Sequence, residues 1–150
     1  MKIGIASDHR GYETKQKLTE FLIGKGYNVI DYGTNSKDRV DYTKYGFILG
    51  EKIAQKEVDY GIAICGSAIG ISVALNKVKG IRCGKIDSVE EAIHGKERDF
   101  LNAIALSGEG ASIELNEQIA EAFLTSKNNL TDHVYRERID QIEAYENGKY

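Results

Sequence analysis

YGIAICGSAIGISVAL, residues 60–75, contains no charged side chain and holds glycine or serine at Gly61, Gly66, Ser67, Gly70 and Ser72. An apolar run of this length is too short to span a bilayer, and its small polar interruptions suit a buried strand that turns directly into a helix. The flanking sequence repeats the device. β-rich runs at Lys2–Ser7, Tyr27–Tyr32, Asp59–Ile64, Gly80–Ile86 and Asn102–Ser107 alternate with amphipathic segments at Gly11–Lys25, Tyr42–Lys56, Ile71–Val78, Val89–Glu97 and Ile113–Ser126. Leu18, Phe21 and Leu22 mark one helical face, and Tyr45, Ile48, Leu49 and Ile53 mark a second. Such alternation predicts an α/β fold, a three-layer α/β/α Rossmann-like sandwich around a five-stranded parallel sheet. A further amphipathic segment, Tyr135–Glu146, offers Ile139, Ile142 and Tyr145 either to its own domain or to a partner.

The chain has 150 residues, the length of one domain, and residues 1–150 are expected to form one. Its net charge is −3 with signs interspersed, so no basic face exists to neutralise phosphates. Nucleic acid and anionic membranes are not expected partners. Cys65 and Cys83 form no C-x-x-C pair and have no histidine at ligand spacing, which points to free thiols, a reducing cytoplasm, and neither metal nor disulfide. The apolar run at the N-terminus ends at Asp8, too early for a secretory leader.

In open parallel sheets, ligands bind beyond the carboxyl ends of the strands. Polar and glycine residues collect at two such points, Ser7-Asp8-His9-Arg10-Gly11 and Cys65-Gly66-Ser67-Ala68-Ile69-Gly70. The second loop enters a helix, so its amides can form a nest for an oxyanion, and the same field would favour a thiolate at Cys65. Cys65 as a small buried hydrophobe is the competing reading. Asp8 is a candidate ligand contact or a helix cap, and the two roles are compatible. The loop lacks the Gly-Lys-Ser/Thr ending of a nucleotide P-loop, and Gly11 alone follows the first strand where a dinucleotide fingerprint needs three glycines. His94 and His133 read as surface residues, and Lys96-Glu97-Arg98-Asp99 as a solvated helix end.

With SDHRG at 7–11, VIDYGT at 29–34, VDYTKY at 40–45, CGSAIG at 65–70 and ALNKVKGIR at 74–82, the sequence resembles the ribose-5-phosphate isomerase B and galactose-6-phosphate isomerase family over nearly all of residues 1–146. The resemblance implies metal-free and cofactor-free aldose–ketose isomerisation of a sugar phosphate through a cis-enediolate, in sites shared between the subunits of a homodimer or tetramer. Residues 135–146 would then lie at a subunit interface. It casts Cys65 as the base and Ser67 as its hydroxyl-bearing companion, with the backbone of Gly66, Ser67, Ala68, Ile69 and Gly70 holding the enediolate oxygens. Asp8, His9 and Tyr42 would contact substrate.

Departures cluster on one side of the implied site. Arg98 stands where the family has a ring-opening histidine, and Asp99 where it has asparagine. Of three phosphate-gripping arginines only Arg138 remains, Glu109 and Val134 replacing the others. Ala68 replaces a loop glycine. Hydrogen bonds to charged groups are worth about 1.5–3 kcal/mol each, so two lost arginines weaken phosphate binding by about 3–6 kcal/mol unless replaced. Arg98, Arg136, His133 and Lys96 are the candidate replacements. Three functions follow as alternatives: a homomeric isomerase, with ribose 5-phosphate/ribulose 5-phosphate as the default pair; the cysteine-bearing subunit of a two-chain galactose-6-phosphate-type isomerase; and a sugar- or anion-binding homologue without turnover.

Overall fold

A computed structural model describes residues 1–150. Five strands, β1 (Lys2–Ser7), β2 (Asn28–Asp31), β3 (Tyr60–Cys65), β4 (Cys83–Lys85) and β5 (Ala103–Ser107), form one all-parallel sheet in the order β2-β1-β3-β5-β4. Six helices accompany them: α1 (Tyr12–Gly24), α2 (Tyr42–Ala54), α3 (Ile69–Asn76), α4 (Val89–Arg98), α5 (Ile113–Thr125) and α6 (His133–Glu146). The expected α/β/α architecture with five parallel strands is the one found.

Side-chain alternation along the strands gives the sheet two unlike faces. Ile3, Ile5, Ile62, Ile64, Ile104 and Leu106 point to one side and join Leu18 and Leu22 of α1, Ala92 of α4 and Phe123 of α5 in a 15-residue core. The opposite face is built of small residues: Ala6, Ala63, Cys65, Ala103 and Ala105 pack with Leu49, Ile53, Ile71 and Leu75 of α2 and α3. Small side chains there let α2 sit almost on the backbone. A Cβ on Gly61 would lie 2.5 Å from Ile53 Cδ1, and one on Gly4 2.7 Å from Leu49 Cδ1. Any larger residue at either position would push α2 outward.

Most element ends shift by one to three residues from expectation, and two of these shifts have identifiable causes. The strand expected over Gly80–Ile86 contracts to Cys83–Lys85 because side chains take the preceding amides. Gly80 N donates to Glu146 Oε2 at 2.6 Å and Arg82 N to Asn102 Oδ1 at 2.8 Å. Helix α3 starts two residues early, at Ile69, because Ala68 adopts φ +68° and turns the chain at once into the helix. Of the α6 stripe, Ile139 is buried, whereas Ile142 and Tyr145 remain exposed.

The expectation of a solvated helix end at Lys96–Asp99 is wrong for its first residue. His94 and Asp99 are exposed, as are Arg98 and His133, but Lys96 is 1% exposed. Its Nζ lies 3.8 Å from the ring centroid of Tyr60 and 4.3 Å from that of Phe123, and donates to Phe123 O at 2.9 Å. Sequence periodicity misses this because the long methylene stem reaches from the helix end into the aromatic layer. Lys15 is also buried, but Asp31 neutralises it. Lys96 has no carboxylate partner, and burial lowers its pKa from 10.5 to about 8, with the two ring faces recovering part of the lost hydration.

The folded state therefore binds fewer protons than the unfolded one between about pH 8 and the ordinary lysine value. The burial penalty is complete below about pH 8 and is relieved as pH rises through that window. Urea unfolding of the native chain should gain stability from pH 7.5 to 9.5 relative to Lys96→Met, whose profile should be flatter. A native profile parallel to that of the variant would show that Lys96 carries no such penalty.

Candidate active site

The chain passes to opposite faces of the sheet after β1 and β3, α1 to one side and α3 to the other, which opens a crevice at their carboxyl ends. A cleft of about 1100 Å³ occupies that position. It is lined by Asp8, His9 and Arg10 after β1, by Arg39, Val40 and Asp41 before α2 with Tyr42 at its start, and by Cys65 at the end of β3 with Gly66, Ser67, Ile69 and Gly70 beyond it. Lys85 and Asp87 after β4, with Ser107, Glu109 and Gly110 after β5, complete the wall.

The loop Cys65–Gly70 owes its shape to bonds on its carbonyl side. Cys65 O accepts from Gly108 N at 2.8 Å, and Gly66 O accepts from Ser107 Oγ at 2.6 Å and from Glu109 N at 3.2 Å. Its amide side is left open. Ile69 N donates to Ser67 Oγ at 3.2 Å, while the amides of Gly66, Ser67, Ala68 and Gly70 donate to no protein group. Four uncommitted N–H groups ahead of a helix form an anion-binding concavity. Gly70 is required there because a Cβ would lie 2.7 Å from Tyr42 Cζ, so the tyrosine ring rests directly on the loop.

Cys65 ends β3 and is 3% exposed. Its inner side packs in the small-residue core, and it still contributes to the cleft wall. Cys83 is different: burial pushes its thiol up to about 12, and it is absent from the cleft. Asp8 is not the cap of α1 that the sequence offers as one of its two roles. Its Oδ1 accepts from Arg10 N at 2.9 Å and Gly11 N at 3.0 Å, tying the turn into α1, while the residue lines the cleft. The helix N-cap itself is Gly11. His9 Nδ1 accepts from Val40 N at 3.3 Å, which fixes the ring and leaves Nε2 as its free position.

One chain does not bring every expected residue together. Asp8, His9, Tyr42, Cys65, Gly66, Ser67, Ile69 and Gly70 share the cleft, and Ala68 underlies it, fully buried. Arg98 and Asp99 end and cap α4, which starts beyond β4 at the cleft end and runs back toward the start of β5. They therefore lie at the opposite end of the sheet, where Arg98 Cζ is 5.8 Å from the Tyr135 ring centroid. Arg138 projects from α6 and is exposed. Lys96 is locked between aromatic rings, also away from the cleft, and replaces no phosphate ligand.

Sequence reasoning passed over Arg10, Arg39, Asp41, Lys85 and Asp87 as site residues. All lie at or just beyond strand ends or in the loop entering α2, and applying the strand-end rule to β4 and β2 as well as β1 and β3 would have found most of them.

An open parallel sheet with a thiol, unbonded amides and polar side chains gathered beyond its strand ends defines an α/β protein with a small-molecule site. Residues 3–142 match the family described as Ribose/Galactose Isomerase, and the chain belongs to that family. It is 41% identical over 127 residues to galactose-6-phosphate isomerase subunit LacB of Clostridium acetobutylicum, covering 85% of this chain and 73% of that one. It is 34% identical to ribose-5-phosphate isomerase B of Escherichia coli, covering 97% and 96%. Among solved structures, ribose-5-phosphate isomerase B of Clostridium thermocellum superposes over the whole of both chains with a TM-score of 0.95 at 35% identity. The Mycoplasma genitalium ribose-5-phosphate isomerase B with bound ribulose-5-phosphate superposes with a TM-score of 0.91 at 33% identity, covering 97% and 96%.

The loop carries one strained residue. Ala68, at φ +68°, sits in the left-handed region that costs a residue with a Cβ about 1–2 kcal/mol. Ala68→Gly should therefore stabilise the fold by about 1 kcal/mol in urea unfolding, after allowing for the freer unfolded chain. A destabilised Ala68→Gly variant would show that the buried methyl outweighs the strain.

Proposed function

We propose that the chain isomerises an aldose phosphate and its ketose phosphate, ribose 5-phosphate/ribulose 5-phosphate by default, with Cys65 as the base. The observation that carries this reading is the placement of a thiol-bearing residue in the same cleft wall as a run of amides with no other partner. Cys65, acting as a thiolate, takes the proton from C2 of the open-chain aldose to become the thiol, and the electron pair moves onto the carbonyl oxygen at C1. The resulting cis-enediolate places its charge on two adjacent oxygens, which the fixed amides of Gly66–Gly70 stabilise without reorganising. The thiol returns the proton to C1, and the Ser67 hydroxyl relays the proton between the two oxygens. Asp8, His9 Nε2 and the Tyr42 hydroxyl bind the sugar hydroxyls.

The position of Arg98 and Asp99 at the far end of the sheet, and of Arg138 outside the cleft lining, supports a site completed by a second copy of the chain. Two protomers related by a two-fold axis would each lend these residues to the other's cleft. An arginine cannot serve as a proton shuttle at neutral pH, so Arg98 in place of histidine favours a substrate that arrives already open. This chemistry belongs in a reducing cytoplasm, which keeps Cys65 a thiol.

In deuterated water, turnover should label C1 or C2 of the sugar phosphate, and Cys65→Ala should lower the rate at least about a hundredfold and abolish the label. Binding without turnover across tetrose, pentose and hexose phosphates would instead identify a non-catalytic homologue. The 41% identity to a LacB subunit favours a second reading, the cysteine-bearing half of a two-chain enzyme. The homomeric reading expects full activity from this chain alone. Activity that emerges only on co-expression with a second homologous chain carrying the histidine and arginines would replace it with the two-chain one.

A further inference from the structure

Glu109 occupies the position that the family resemblance gives to a phosphate-gripping arginine, yet the cleft has not lost its cation there. Arg10, from the loop after β1, reaches across the β3 loop so that its Nε lies 3.6 Å from Glu109 Oε1. Both side chains lie over Gly66: a Cβ on that glycine would be 3.0 Å from Arg10 Cδ and 3.2 Å from Glu109 Oε2. The charges have in effect exchanged walls.

Arg10 is rigid at its root and free at its tip. Its amide donates to Asp8 Oδ1 at 2.9 Å, and its carbonyl is packed so closely against Gly108 that a Cβ there would lie 2.8 Å away. Its side chain is 61% exposed and donates no hydrogen bond within the chain, so all five guanidinium donors are available. The other cations of the cleft differ. Lys85 Nζ is engaged by both carboxylate oxygens of Asp87, at 2.7 and 2.6 Å. Arg39 is exposed on a connection without a partner and has no such anchored root.

We propose that Arg10 is the residue with which this chain itself recognises the phosphate of its substrate, and that Glu109 is the counter-charge it releases on binding. An exposed pair at 3.6 Å without a hydrogen bond contributes little, so exchanging it for a bidentate guanidinium–phosphate contact is favourable. The Glu109 carboxylate lies beside Arg10 over the loop and competes with a phosphate monoester for it. The proposal deepens the isomerase reading and rests on it for the identity of the ligand.

The test is a set of steady-state measurements with ribose 5-phosphate, alongside calorimetry with inorganic phosphate. Arg10→Ala should raise KM about 10- to 100-fold with kcat within about threefold of the native value. Arg10→Lys should fall between, keeping the charge but losing the planar fork. Glu109→Gln should lower KM severalfold, and inorganic phosphate should bind it more tightly. An unchanged KM in Arg10→Ala, with the increase seen in Arg39→Ala instead, would overturn the assignment while leaving the isomerase reading intact. Should the native chain turn over no sugar phosphate, the isomerase reading falls and calorimetry alone decides: phosphate binding about tenfold weaker in Arg10→Ala supports the assignment, and equal binding removes it.

Discussion

The geometry of the site depends on how one short stretch of backbone spends its hydrogen bonds. Ser107 Oγ and the amides of Gly108 and Glu109 bond the carbonyls of Cys65 and Gly66, and this one-sided tie holds the loop with its amides unsatisfied. The amides of Gly66, Ser67, Ala68 and Gly70, without a protein partner, lie together at the head of α3 beside the cleft. The left-handed turn at Ala68 is the strain that accompanies this arrangement. A loop that satisfied its own amides would be more stable and would offer an enediolate nothing.

The two faces of the sheet divide the labour. The face of Ile3, Ile5, Ile62, Ile64, Ile104 and Leu106 supplies most of the apolar burial, with α1 and α5 covering it. The alanine- and glycine-rich face gives up side-chain volume so that α2 and α3 approach the strands closely. That approach brings Tyr42, at the start of α2, onto Gly70, at the start of α3. The small-residue face thus places a phenol ring against the amide-lined loop, and Cys65 at its upper edge is both the last core residue of β3 and part of the cleft wall.

Much of this was legible in the chain itself. Alternation of β-rich runs with amphipathic segments gave the layered parallel sheet, because the helical spacing of Leu18, Phe21 and Leu22 and of Tyr45, Ile48, Leu49 and Ile53 stands apart from the strand runs. The loops after β1 and β3 declared themselves by concentrating glycine with titratable residues. What was not legible depends on reach and on chain pairing. Lys96 reads as surface by type but threads its stem between Tyr60 and Phe123. Arg10 reads as an incidental basic residue until its side chain is seen over Gly66 beside Glu109. No periodicity reports that Arg98 and Asp99, adjacent to the site in the family resemblance, lie at the far end of the sheet within one chain. Where the sequence shows Glu109 in place of a family arginine, the structure sets the Arg10 guanidinium beside it over Gly66.

The proposed chemistry depends on what the open amides hold. A crystal structure with a phosphosugar hydroxamate, whose planar pair of oxygens imitates the enediolate, examines this directly. Both oxygens should lie within hydrogen-bonding distance, about 2.7–3.2 Å, of amides between Gly66 and Gly70, with the Cys65 sulfur over the carbon between them. An analogue bound with those amides facing only water, or with its reactive carbons turned away from Cys65, would contradict it.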